Sequence, residues 1–407
     1  MAYELDAAGM SRLGEYFAEI GGVLRDKRKR ASFATYAYGI LGDGDRKSAE
    51  PIAARACGDP ELARAYHERL LHFLGEAKWD DHAVRRIAAR HAMSAMAAQA
   101  GEPVSVFIVD DTGLLKQGTH SVGVQRQYTG SAGKITNCQI AVTLSVATSH
   151  EAVPLDVALY LPESWANDAD LRKKARIPDA VEFKTKPELA LDMIRDACLD
   201  EVPGKVLLAD SAYGDSSDFR AAVALYGFDY AVGIHTTSTV HLLDMLGRAR
   251  SPAIAVGELA KRLGPKAFRK FTWREGTKGK LSGRFCFRRV KTAHDDGQPA
   301  REREEQWLLL EWDEAAQKTK CYLTTLPRRM SKKQIIRILK ERWRTERVYE
   351  ELKGELGFDH FEGRSFPGWH HHVSVVLCCY AFVVAERVRH FPPSTRETAN
   401  DAKPLAA

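Results

Sequence analysis

The chain has 407 residues, 44% of them hydrophobic and 28% charged, a balance that suits a globular protein of one large domain or two to three modules. No run of eighteen or more apolar residues and no basic-then-apolar leader occurs, so neither a membrane span nor a secretory signal is expected. A formal net charge of +6 leans towards a polyanionic partner, and seven scattered cysteines with no Cys-x-x-Cys pair argue for reduced thiols in the cytoplasm and against a zinc ribbon.

Residues 10–98 read as helical: Ala, Leu, Arg and Glu dominate, and breaks fall at Gly42-Asp43-Gly44 and Gly58-Asp59-Pro60. Within this stretch Arg25, Lys27, Arg28, Lys29 and Arg30 form a basic cluster. The texture changes at Gly101-Glu102-Pro103, and the apolar, β-branched run 104–109 predicts a buried strand. Strands are also predicted over 138–147, 153–160, 205–209 and 230–234. Helices are predicted over 187–199, with Pro187 in the first turn, and over 217–226. From about 240 to 325 the pattern is irregular. Strands are expected at 284–290, 306–311 and 320–324, separated by polar linkers such as Asp295-Asp296-Gly297-Gln298-Pro299. Ser331 suits the N-cap of one long basic helix reaching about Leu356. A last helix covers 369–389, and the tail after Pro392-Pro393 is expected to be disordered. The fold class is thus α/β, a mixed core with a β-rich insertion before its final helices. The expected division is a helical region over 1–100, a core over 101–239 and 327–392, the insertion over 240–326, and a tail over 393–407.

Two of these strands end in an acid. Val106-Phe107-Ile108-Val109 runs into Asp110-Asp111-Thr112-Gly113, and Val206-Leu207-Leu208-Ala209 into Asp210-Ser211-Ala212-Tyr213-Gly214. A carboxylate there is held rigidly at the mouth of a sheet, where open α/β folds place ligands. A lone Asp would more simply be a turn or capping residue; two strand-end acids suit a hard cation such as Mg²⁺ or Mn²⁺. A third acid, Glu346, lies four residues after Arg342 and seven before Lys353, offsets that share one helix face. Cation, carboxylate, cation on one face suits a metal ligand flanked by phosphate contacts, against a plain solvated, salt-bridged helix.

The spacing of Arg342, Glu346 and Lys353 resembles the Tyr–Arg–Glu–Lys signature of DDE-class insertion-sequence transposases, with Leu339 where the signature has tyrosine. One branch of that family is also resembled by Asp110-Asp111-Thr112-Gly113-Leu114-Leu115-Lys116-Gln117-Gly118, Val122-Gly123-Val124-Gln125-Arg126-Gln127-Tyr128, Leu161-Pro162-Glu163-Ser164-Trp165 and Leu356-Gly357-Phe358-Asp359-His360-Phe361-Glu362-Gly363-Arg364-Ser365. The resemblance spans roughly 20–390. It implies a ribonuclease-H-like fold, a helical DNA-binding N-terminal region and a β insertion between the second and third acids. It implies catalytic, metal-ligating acids at Asp110, Asp210 and Glu346, with Asp111 as the alternative first ligand. Two Mg²⁺ ions, with Mn²⁺ as substitute, would serve an in-line displacement by water and then by the freed 3′-OH. Implied partners are double-stranded DNA, as terminal inverted repeats and target, and a second copy on that DNA, with no membrane, at the nucleoid of a bacterial cytoplasm. Arg342 and Lys353 would hold phosphates, as would the 25–30 cluster.

Trp343 suits either a stacked base or a core position. His370-His371-His372 point about 100° apart on a helix and suit no single zinc ion. The glycines around Tyr128-Thr129-Gly130-Ser131-Ala132-Gly133-Lys134 suit a hairpin turn rather than a phosphate loop. Competing readings are a ribonuclease-H-like endonuclease without strand transfer and a catalytically silent DNA-binding derivative.

Overall fold

A computed structural model describes residues 5–101, 105–276, 279–293, 302–314 and 317–391; the 295–299 linker and the tail after Pro392-Pro393 lie outside the described residues. Five helices come first: α1 (Ala7–Leu24), α2 (Lys27–Leu41), α3 (Ala49–Ala56), α4 (Pro60–Gly75) and α5 (Asp81–Ala100). Then follow β1 (Val106–Leu115), β2 (Gln125–Thr129), β3 (Lys134–Ala147), β4 (Ala152–Tyr160), α6 (Glu163–Ala166), α7 (Ala169–Ala175), α8 (Lys186–Leu199), β5 (Val206–Ala209), α9 (Ser211–Gly214), α10 (Ser217–Leu225) and β6 (Asp229–Ile234). The third stretch holds β7 (Thr239–Leu242), β8 (Ile254–Ala255), α11 (Val256–Leu263), β9 (Arg269–Gly276), β10 (Gly279–Thr292), β11 (Gln306–Asp313) and β12 (Lys318–Thr324). Last come α12 (Lys332–Lys340), α13 (Trp343–Gly354) and α14 (Phe366–His390).

The chain folds as two compact units, one of Met1–Val104, Asp111–Met193 and Arg344–Ala402, the other of Ser105–Asp110, Ile194–Trp343 and Lys403–Ala407. In the first unit α5 lies along α14 and β4, while β2, β3 and β4 pair antiparallel. Asp6, Asp26, Asp59 and Asp80 cap the starts of α1, α2, α4 and α5, each accepting first-turn backbone N–H groups. Buried Arg85 of α5 donates from Nε to Asp156 on β4 (2.7 Å), from Nη1 to Ser374 on α14 (2.6 Å), and also to Asp81. A buried charge must be paired in this way or be lost to desolvation. Burial alone would raise the Asp156 carboxyl, but Arg85 and His82 outweigh it and hold it at about 2. Among the described residues α14 is long and apolar enough to cross a membrane, although charged and polar side chains interrupt its apolar runs. Its apolar window is 89% buried, and it is the core helix of this unit.

The second unit is a mixed sheet. The start of β1, β5 and β6 run parallel, and antiparallel strands extend the order through β12, β11, β10, β7 and β8, with β9 on the free part of β10. Val106, Phe107, Ile108 and Val109 are fully buried, as a strand inside a parallel sheet requires. The expected β-rich segment is therefore regular sheet, longer than its apolar runs suggested, with β7, β8, β9 and α11 added. This is the ribonuclease-H-like mixed α/β class with a β-rich segment before the final helices.

One expected element is corrected. The long helix from Ser331 to about Leu356 is two helices, α12 and α13. Glu341 turns its N–H to Ile338 O, three residues back, and ends α12. Ile335, Ile336, Ile338 and Leu339 of α12 are buried, so Leu339, at the place of the signature tyrosine, fills an apolar slot.

Candidate active site

Strands β1 and β5 pair in register, Val106 with Val206, Phe107 with Leu207 and Ile108 with Leu208. Asp110 and Asp210 each stand two residues beyond the last of these pairs. Asp210 follows the end of β5 as expected, whereas β1 runs on to Leu115, so the expectation that Asp110 ends its strand is corrected: it lies within β1, just past the parallel pairing. The chain turns sharply after Asp210: its Oδ1 accepts the Ala212 N–H (2.9 Å), capping the short α9. That turn lies so close on β6 that a Cβ on Gly214 would come within 2.1 Å of Gly233 O, which makes glycine obligatory there. Asp210 is thus a capping residue and a strand-end acid at once.

Asp110 is buried, and Arg342 donates from Nη1 to its Oδ2 across 2.6 Å. Asp111, the next residue along the pleat, belongs to the first unit and accepts from Lys186 Nζ (3.0 Å). Neither acid is without a cation. Glu346 is exposed in the first turn of α13, whose other side buries Thr345, Val348, Tyr349 and Leu352. The Tyr349 hydroxyl bonds Thr143 of β3 at 2.6 Å, and buried Arg344 donates to Ser149 O and His150 O, which fixes how α13 is rotated in its unit. Among the described residues no group of three or more His, Cys, Asp or Glu side chains could by itself hold a metal ion. The donor set formed by Asp110 and Asp210 is all oxygen, which fits a hard divalent cation.

The expected DNA-contacting residues divide into two kinds. Lys353 faces inward, its Nζ donating to Thr112 Oγ1 (2.7 Å), Gly113 O (2.8 Å) and Ser131 Oγ (2.9 Å), and burial pushes its pKa down. Arg342 likewise spends a guanidinium nitrogen on Asp110. Trp343, by contrast, is exposed with Arg274 over its ring at 5.4 Å, so the core position considered for it is corrected. At the turn between α1 and α2, Arg25, Lys27, Arg28 and Arg30 are exposed and Lys29 is half-buried. Lys29 Nζ donates to Lys78 O (2.6 Å), and Asp26 accepts from the N–H groups of Arg28 and Lys29. Sequence spacing could not foresee the partners Lys186, Arg274, Thr112 and Ser131, because each meets its site residue across strands or helices far apart in the chain.

The other singled-out residues are structural. His370, His371 and His372 each bond a backbone carbonyl, those of Phe366, Leu74 and Gly357, and His371 stacks on Trp79 with centroids 4.0 Å apart. Residues 128–134 form the turn of the β2–β3 hairpin, with Thr129 opposite Lys134. The stretches that carry the family resemblance meet in pairs: Lys116 Nζ donates to Asp359 O and Phe361 O, while Trp165 Nε1 donates to Val124 O.

The sequence pattern of the DDE superfamily endonucleases matches residues 19–280, more than half of the chain. The chain belongs to that family. It is also similar to a probable transposase for insertion sequence element IS701 from Microchaete diplosiphon, at 27% identity over 230 residues, 56% of this chain. That alignment covers 55% of the relative, so the chain spans about half the length of the curated protein it matches.

Proposed function

We propose that this DDE endonuclease is the transposase of a bacterial insertion sequence, acting at the nucleoid as a homodimer on DNA. It binds terminal inverted repeats, cleaves DNA at the element ends and transfers the 3′-OH strands into target DNA. One observation carries the reading: two acids hold equivalent positions just past the parallel pairing of β1 with β5 in a ribonuclease-H-like sheet, the first already facing a cation. The similarity to an insertion-sequence transposase supports it.

Asp110, Asp210 and Glu346 are the acids that would hold Mg²⁺, or Mn²⁺ in its place. When bound, the metal supplies charge neutralisation and an acidified water for displacement at phosphorus. Asp110 is preferred over Asp111 because it is buried and matches Asp210 in position just past the β1–β5 pairing, whereas Asp111 pairs with Lys186. Paired strands β1 and β5 hold the two carboxylates rigidly, so their geometry is set before DNA arrives. Arg342 exchanges Asp110 for a phosphate oxygen, a bidentate acceptor that suits guanidinium. Exposed Trp343 offers a face to an unpaired base, and Arg25, Lys27, Arg28 and Arg30 add backbone contacts. Lys353 holds the β1 end and the hairpin turn beneath Glu346's helix.

The test is Mg²⁺-dependent cleavage of duplexes carrying the inverted repeats that flank the gene, followed by a strand-transfer assay. Cleavage with joined products is expected. Cleavage without joining would leave an endonuclease, and binding without cleavage a DNA-binding derivative.

A further inference from the structure

Between β7 and β8 the chain makes a tight turn whose tip is apolar. Asp244 builds it: its Oδ1 accepts the N–H groups of Leu246 and Arg248 (both 2.9 Å), and its Oδ2 takes Arg248 Nε at 2.8 Å. Gly247 sits at φ +75°, in the left-handed region that lets the turn close. A bridge between Leu243 and Ala249 and the bond from Arg250 N to Leu242 O (2.7 Å) lock the stem. The ordered backbone pushes two large apolar side chains outward: Met245 is 100% exposed and Leu246 75%. Turn tips are ordinarily polar, and an uncovered apolar pair on a stiff turn marks a contact surface.

The surroundings say what kind. Behind the turn lies a hollow of about 600 Å³ lined by Arg250, Arg288, Arg289 and Arg328, with Leu259 and Leu263 of α11 beneath. Its two acids are already engaged, Asp244 with Arg248 and Glu305 with Arg289 (2.5 Å). Arg250, Arg288 and Arg328 therefore leave the face positive. An apolar wedge ringed by arginines is the equipment of proteins that enter the minor groove and part a base step, the arginines meeting the phosphates and the narrow groove.

We propose that the 243–250 turn is a DNA wedge, in which Met245 and Leu246 unstack a base step from the minor groove while Arg250, Arg288 and Arg328 hold the flanking backbone. The inference rests on the DNA-acting function above and adds a deformation of the duplex to it. Pyrimidine–purine steps such as TA unstack most cheaply, so a bend centred on such a step is the expected product. Because the turn is ordered before binding, little conformational entropy is lost on insertion.

The experiment uses the full chain and a fluorescently end-labelled mixed-sequence duplex with a central TA step carrying 2-aminopurine. Wild type should shorten the end-to-end distance and brighten the 2-aminopurine. The double variant Met245→Ser, Leu246→Ser should abolish both signals while keeping duplex affinity within about threefold, because phosphate contacts dominate that affinity. The variant Arg250→Gln, Arg328→Gln should lower the magnitude of the log–log salt slope by about 0.9 for each phosphate that is no longer neutralised. Bending by the serine variant equal to wild type overturns the wedge. So does sedimentation showing that wild type dimerises without DNA and the serine variant does not, since the tip would then be covered by a second copy. A duplex bound but never bent removes the wedge alone; failure to bind this duplex and terminal-repeat duplexes alike removes the transposase reading with it.

Discussion

Arg342 Nη1 lies 2.6 Å from Asp110 Oδ2, so the first of the acids meets a cation of its own chain before it meets a metal. The two cations compete for one carboxylate. Arg342→Gln should tighten Mn²⁺ binding to the DNA-free protein by about tenfold, the scale set by an opposite charge at salt-bridge distance. Titration calorimetry reads this directly. Weaker Mn²⁺ binding would mean that Arg342 orders Asp110 for the metal instead of opposing it.

Asp110→Asn, Asp210→Ala and Glu346→Ala should each abolish Mg²⁺-dependent cleavage while changing terminal-repeat affinity only a few-fold, because ligands to the metal act on the chemical step. Asp111→Asn should be impaired and not dead, since Asp111 is paired with Lys186. Near-normal cleavage by any of the first three variants would break the assigned triad.

Lys353→Gln should lower the melting temperature and leave the salt slope of DNA binding unchanged. Three inward oxygen atoms lose their donor, and each net hydrogen bond to a charged group contributes about 1.5–3 kcal/mol before relaxation. A slope reduced by about 0.9 at unchanged stability would assign Lys353 to a phosphate.

Burial pulls His370 down to about 4 and His372 to about 3, so both rings are neutral in the fold. In the unfolded chain they protonate near about 6.5. Their stabilising contribution is complete above that value and is lost as pH falls through the folded values. Asp156, held at about 2, adds a further loss at the acid end. The melting temperature should fall progressively below about pH 6. His372→Gln, measured over the same range, should fall less steeply; an equal slope would take His372 out of the account.

Much of this was readable in the chain. The runs 106–109 and 206–209 are apolar to the residue before each acid, and a buried strand leaves few other readings. The break at Gly58-Asp59-Pro60 and the cap at Ser331 likewise stand in their expected places. The break after Lys340 was not readable, because no glycine or proline marks it and Glu341 is an ordinary helix former. What ends α12 is tertiary: Glu341 is buried, and the next residue reaches Asp110 on a strand 232 positions away. The strands β7 and β9 escaped for a related reason. Sheet pairing to β10 stabilises them, and their alternating stretches, Thr239-Val240-His241-Leu242 and Lys270-Phe271-Thr272-Trp273-Arg274, are too short to announce it among the polar residues around them.

The knot of Arg85, Asp156 and Ser374 ties the opening helices to α14, 289 positions further along the chain. Whatever the first hundred residues recognise, they are not a detachable cassette. A truncation starting at Gly101 would strip Tyr16 and Val84 from Cys378 and leave Asp156 without Arg85 and His82, so proteolysis should claim it. Lineages of this protein could not change specificity by trading front ends with a neighbour. They would have to revise it one exposed side chain at a time, under the constraint that the inner face of every early helix stays as it is.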